Sequence, residues 1–226
     1  MMKGRQMKKY LAGALLALSM ILLTSCEGFD KPEKKPDTFG TATNGIYLSA
    51  DLTVRDCMLA DFDTQKYNDK EYQGFLQADL DVYNAAHPYT DSEGQKISAI
   101  SIEKCDASSN ILTQILKYYN ASDFLAYNQQ ELQERSGSIL KTGTLSTPAE
   151  DIFSFSFVLP DGSADVVLDE LVNSKEAGSY RYMICDLQAV LYGEGEVAAV
   201  SKGAVYTADL NCVSSPGGTP VAVIFK

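Results

Sequence analysis

Apolar and polar residues alternate one for one along much of this chain, and a period of two confines a segment to β structure with one face buried and one wet. In Ile46-Tyr47-Leu48-Ser49-Ala50-Asp51-Leu52-Thr53-Val54 every even-numbered residue is apolar. Leu76, Ala78, Leu80 and Val82 alternate with Gln77, Asp79 and Asp81 in the same way. Ile97–Ile102 form a third run, and Phe153, Phe155, Phe157 and Leu159 line one side of a fourth. Pro160-Asp161-Gly162 supplies hairpin-turn residues leading into Ala164–Leu171. Tyr180–Tyr192 predicts one long strand, which Gly193-Glu194-Gly195 turns back into Val197–Val200. Ala204–Val213 and Val221–Phe225 complete the set. Strands whose two faces differ this plainly belong to antiparallel sheets. The expected fold is mainly β, an antiparallel β-sandwich or barrel of roughly eight or nine strands.

One stretch departs from the pattern. Ile111, Leu112, Ile115, Leu116 and Tyr119 recur at helical spacing after Ser108-Ser109, which suit an N-cap. Ser122-Asp123 opens a second helical segment, with Gly137 as its stop signal. A short helical insertion over about 108–135 is therefore expected, acting as a plug or lid on the β structure.

The chain has 226 residues, 45% of them hydrophobic, which suits a globular domain rather than a disordered chain. Residues 27–44 contain Asp30-Lys31-Pro32-Glu33-Lys34-Lys35-Pro36-Asp37, charged, proline-punctuated and unable to bury enough surface to offset ordering. With Cys26, this segment is expected to serve as a tether (residues 26–44) reaching roughly 60 Å at full extension. From Gly45 to Lys226 no comparable break occurs, so residues 45–226 are expected to form a single domain.

The first 26 residues carry a different message. Lys3, Arg5, Lys8 and Lys9 precede an apolar run, Leu11–Leu23, with no acidic residue before Cys26. That run is shorter than the roughly 20 residues needed to span a bilayer, and it has the length of a signal-peptide core. Leu23-Thr24-Ser25-Cys26 then resembles the lipobox of bacterial lipoproteins. The resemblance implies that residues 1–25 are a signal peptide removed during export. It also implies that Cys26 carries acyl chains, and that the protein is anchored in the cell envelope, at the outer membrane. Each buried acyl methylene contributes about 0.8 kcal/mol, so several chains on one cysteine hold a domain firmly. Of the 19 basic residues four precede Cys26, leaving 15 against 30 acidic residues, a net of −15. A domain so acidic repels phosphate backbones, and a nucleic-acid partner is not expected.

Candidate sites are few. Ala50-Asp51-Leu52, Ala78-Asp79-Leu80, Cys185-Asp186-Leu187 and Ala208-Asp209-Leu210 share a local pattern. If all four lie mid-strand, Asp51, Asp79, Asp186 and Asp209 point outward as a carboxylate set of the type Ca²⁺ prefers, but a solvated outer face is the simpler explanation and no metal site is expected. Cys57, Cys105, Cys185 and Cys212 remain after the lipobox, without a Cys-x-x-Cys. Buried thiols are favoured over two disulfides, because a chain of this length builds a core without covalent staples. His87, the only imidazole, precedes Pro88 and reads as a turn residue rather than a catalytic base. No phosphate-binding loop or nucleotide fingerprint occurs, so no cofactor is expected. Tyr118-Tyr119 and Tyr180-Arg181-Tyr182 stand out among 13 tyrosines as surfaces for a sugar or a protein partner, with strand packing as the plainer explanation. The expected role is binding or structural, for a glycan or protein. The alternatives are a fimbrial or adhesin subunit, and a hydrolase working through two carboxylates.

Overall fold

Most of the alternating runs fold as strands, shorter and more numerous than their sequence spans. The computed structural model describes residues 44–132 and 139–226; the leader, Cys26 and nearly all of the tether lie outside them. In chain order come β1 (Gly45–Leu48), β2 (Val54–Asp61), α1 (Asp69–Ala86), β3 (Tyr89–Thr90), β4 (Lys96–Ile97), β5 (Ile100–Ser108) and β6 (Ile111–Tyr118). Next are α2 (Ala121–Tyr127), α3 (Gln129–Leu132), β7 (Leu140–Thr144), β8 (Phe157–Val158), β9 (Asp165–Val166) and α4 (Leu168–Val172). The last strands are β10 (Arg181–Cys185), β11 (Gln188–Gly193), β12 (Val197–Ser201), β13 (Val205–Thr207), β14 (Cys212–Pro216) and β15 (Val221–Phe225).

Two sheets face each other. One has the order β13-β14-β11-β1-β2-β6-β5, the other β7-β10-β15-β12-β8-β9, and β3-β4 is a separate ribbon. The fold is thus a β-sandwich with a short helical insertion. Pairing is antiparallel except where β1 lies parallel to β11, Gly45 opposite Val190. Ile46, Leu48, Val54, Leu116, Leu191 and Val213 of the first sheet meet Met183, Cys185, Val221, Val223 and Phe225 of the second. A second core lies behind the second sheet. There Tyr182, Ile184, Ala199, Ala222 and Ile224 pack under Leu145, Ile152, Leu168 and Ala177, from the turns and short helices between β7 and β10. β15 is consequently buried along its whole length, its odd residues in one core and its even residues in the other.

Several expectations require correction. Leu76–Val82 is helix, not strand: it lies inside α1, which Asn68 caps by accepting from Lys70 N and Glu71 N. Its buried side follows Tyr72, Leu76, Leu80 and Tyr83, a spacing of three and four. Ile111–Tyr119 is not helical. Leu112, Gln114, Leu116 and Tyr118 of β6 form its buried row, and Ser109-Asn110, at φ 53° and 62°, make a two-residue hairpin turn instead of an N-cap. The second segment of the insertion is helical as α2 and α3, while Gly137 lies outside the described residues. The Phe153–Leu159 run is mostly a 3-10 turn over Glu150–Ser154, leaving Phe153 exposed and only Phe157–Val158 paired. Ala164–Leu171 yields the two-residue β9, then α4, although the Pro160-Asp161-Gly162 turn does form.

Tyr180–Tyr192 breaks at Asp186-Leu187, where the chain leaves one sheet for the other. The Asp186 carboxylate accepts from Ile139 N at 2.7 Å, and its carbonyl accepts from Gly218 N at 2.8 Å, so the bend is pinned on both sides. β11 and β12 therefore belong to different sheets and are not a hairpin. Ala204–Val213 is divided by a 3-10 turn at Ala208–Leu210.

The four cysteines of the described residues are free; Cys57, Cys185 and Cys212 are buried and Cys105 is half-buried. Burial pushes the Cys57 and Cys105 thiols up to about 11 and the Cys185 thiol to about 12, so at pH 8 all three are protonated and slow to react. Thiol titration of the native protein at pH 8 is expected to label Cys105 first and the other three only after denaturation. Recovery of fewer than these four thiols in denaturant would show that a disulfide forms.

Candidate functional site

The carboxylate set does not assemble. Asp51 sits in the β1–β2 turn, accepting from Thr53 N at 3.1 Å and Thr53 Oγ1 at 2.6 Å. Asp79 lies in α1, Asp186 is the buried pin described above, and Asp209 is in a 3-10 turn. None is mid-strand, and among the described residues no group of three or more His, Cys, Asp or Glu could hold a metal ion. Tyr180 and Tyr182 are buried in the second core, so the Tyr180-Arg181-Tyr182 segment offers no tyrosine platform.

Tyr118 and Tyr119 part company, because neighbours on a strand point to opposite sides. Tyr118 is buried edge-on to Phe124, centroids 5.2 Å apart, and receives a hydrogen bond from Asn128 Nδ2. Tyr119 is 38% exposed and stacks on Tyr89 at 4.1 Å with 28° between the rings.

Around this pair the end of the sandwich is rich in aromatic rings. α1 ends at His87, its C-cap, and Pro88 forbids continuation. At a spacing of four, the His87 ring stacks on Tyr83, centroids 3.9 Å apart and 13° from parallel. Tyr83 also meets Tyr127 edge-on at 5.5 Å. After Pro88 the chain enters β3, whose ribbon with β4 closes around the Asp91–Gln95 turn; the Asp91 carboxylate accepts from Glu93 N and Gln95 N.

A polar junction lies beneath the rings. Asn120 caps α2 by accepting from Asp123 N at 2.9 Å, and its Nδ2 donates to the Tyr89 hydroxyl at 3.1 Å. Asp123 is only 3% exposed, and its Oδ1 accepts from the Tyr83 hydroxyl at 3.2 Å. Burial, and then the adjacent Asp123 carboxylate, raise the Tyr83 hydroxyl well above its ordinary value. Tyr89 is raised as well, burial again being the largest cause. Both phenols therefore stay protonated across the physiological range. Asn84 completes the frame, accepting from Ile100 N at 2.8 Å and donating to Ile100 O at 2.9 Å, as a strand neighbour would. Three elements, α1, β3 and α2, are thus locked together, and the exposed rings of His87 and Tyr119 sit on a fixed base.

His87 Nδ1 lies 3.0 Å from the Tyr83 carbonyl. Stacked rings beside amide and phenol groups can take up the apolar face of a ligand while meeting its hydroxyls. Tyr83, Tyr89 and Asn84 were not singled out by sequence reasoning, and Asp123 was read only as the start of a helix. The usable signals were Pro88, which ends a helix, and the Asn120-x-x-Asp123 spacing, which starts one.

No family model matches this chain, and no curated protein or solved structure matches it. Function is therefore read from geometry.

Proposed function

We propose that this protein is a lipid-anchored component of the bacterial envelope whose β domain binds glycan at the tyrosine-rich end. The observation that carries the binding half is the Tyr89–Tyr119 stack, with Tyr119 exposed and Tyr89 held from below by Asn120. A pre-positioned ring loses little freedom on binding, and sugars present C–H faces to such rings and hydroxyls to amides and phenols. The anchoring half is supported by the lipobox-like residues ending at Cys26.

Two variants test the two halves. Tyr119→Ala in the detergent-solubilised full chain is expected to weaken glycan binding at least about tenfold with the melting temperature unchanged. Equal affinity in the variant and the parent would remove the tyrosine-rich end from consideration. Cys26→Ser is expected to leave the chain unlipidated and unable to sediment with vesicles; continued sedimentation would end the anchoring proposal.

A fibre subunit is the second reading, and one feature favours it. β1, the first described strand, lies inside the sheet between β11 and β2, so its release would open a slot for a strand from another copy. Its turn is firmly tied, however, with Ser49 N donating to Thr53 O and Ala50 N to Glu194 Oε2. Heat-labile oligomer ladders, absent from a β1-deleted variant complemented with no donor strand, would move the choice to this reading.

A further inference from the structure

We infer that the glycan is an extended oligosaccharide that reaches a second subsite, the cavity at the start of α1. This rests on the glycan reading above. The cavity has a volume of about 390 Å³ and is lined by Thr64, Lys66, Tyr67, Asn68, Glu71 and Ala107, among others. That volume falls within the roughly 300–1,000 Å³ of small-molecule sites. The Asn68 side chain accepts from two N–H groups of the first helical turn, Lys70 N and Glu71 N, so the cavity is read from its side chains. They supply a hydroxyl, an amide, an ammonium, carboxylates and an aromatic ring.

Such a set suits a polyhydroxylated ring. Hydroxyls both donate and accept, and therefore pair with carboxylate, amide and ammonium alike. An anion would meet Asp69 and Glu71, and an apolar ligand would leave most of the lining unpaired. The aromatic wall, Tyr67, is 48% exposed and is backed by Phe62, centroids 6.0 Å apart. Phe62 in turn meets Tyr72, whose hydroxyl donates to Gln114 Oε1 at 2.7 Å. The loop is held by Asp63, paired with Lys66 at 2.6 Å, and by Thr64 Oγ1, which donates to Asn110 Oδ1 at 2.9 Å. The aromatic wall is thus backed and its loop tied down.

The two subsites bracket α1. Its 18 residues span about 27 Å, too far for one sugar and within reach of a chain of several. Between them the helix exposes Phe75, 58% accessible, and Val82, 73% accessible, seven residues apart and therefore on one side. These otherwise unexplained apolar residues give a linear glycan C–H contacts along the way.

Titration calorimetry on the detergent-solubilised full chain, with cello- and manno-oligosaccharides from disaccharide to hexasaccharide, tests this. Affinity is expected to rise at least about tenfold with length, as a second tethered contact provides. Tyr67→Ala should abolish that gain yet leave disaccharide binding intact, whereas Tyr119→Ala should weaken every length. Glu71→Gln, on the exposed surface, should reduce the length gain and serves if Tyr67→Ala lowers the melting temperature. Affinity independent of length, or a length gain that survives both cavity variants, overturns the second subsite and leaves the glycan reading standing. Failure of the parent protein to bind either series at any length overturns both.

Discussion

Gly193→Val is expected to abolish cooperative folding. Gly193 ends β11, opposite Leu48 of β1, and a Cβ built on it would lie 2.5 Å from Phe225 Cγ and 2.6 Å from Cε1. Those atoms belong to the base and body of a ring that is wholly buried at the end of β15, so the ring cannot swing clear without leaving the core. Overpacking by even a methylene costs about 1–3 kcal/mol. Valine adds three carbons against an aromatic ring, and a cost above about 3 kcal/mol is a large share of the 5–15 kcal/mol that a typical domain has in reserve. Denaturant unfolding followed by circular dichroism decides the matter. A variant that melts within a few degrees of the parent would mean that Phe225 does not pack over this glycine.

Leu80→Ala is the second large effect, and it falls on the site as well as on stability. Leu80 is the one side chain of α1 that is fully buried, and it joins the main core beside Tyr118 and Ile100. Its truncation removes the helix's principal hold on the sandwich, at a cost of about 2–5 kcal/mol. The hydrogen bonds of Asn84 to Ile100 remain, but they are worth only about 1 kcal/mol each. The expected result is faster amide exchange along α1 and at the β3–β4 ribbon, with β10 and β15 still protected. The proposed glycan binding should fall with the loss of protection, because Tyr83 and His87 ride on this helix. Uniform loss of protection through both sheets would show that α1 and the sandwich unfold as one unit.

Some of this structure was legible in the residues and some was not. β10 and β15 announced themselves as nearly unbroken apolar runs, which is what burial on both faces requires. α1 did not, because Leu76, Ala78, Leu80 and Val82 satisfy a period of two while Tyr72, Leu76, Leu80 and Tyr83 satisfy the helical one. Asn68 with Asp69 and Glu71 in the first turn, and Pro88 beyond the end, decide between the two. β6 misled in the opposite sense, since the buried Gln114 interrupts its inner row and the turn before it contains no glycine. The break at Asp186 depends on Ile139 and Gly218, distant in sequence, and no local pattern could reveal it. Tyr119 was visible as half of a tyrosine pair, but its partner turned out to be Tyr89, and only tertiary contact brings Asp123 beneath them.

The parallel pairing of β1 with β11 bears on when the chain acquires its shape. Gly45 must find Val190, and β15 must arrive between β10 and β12, before either sheet has a centre. Pairing Gly45 with Val190 first closes a loop of roughly 145 residues, whose entropy cost makes folding slow. A chain that collapses late keeps its apolar strands and unpaired edges exposed for longer, so self-association competes with its folding.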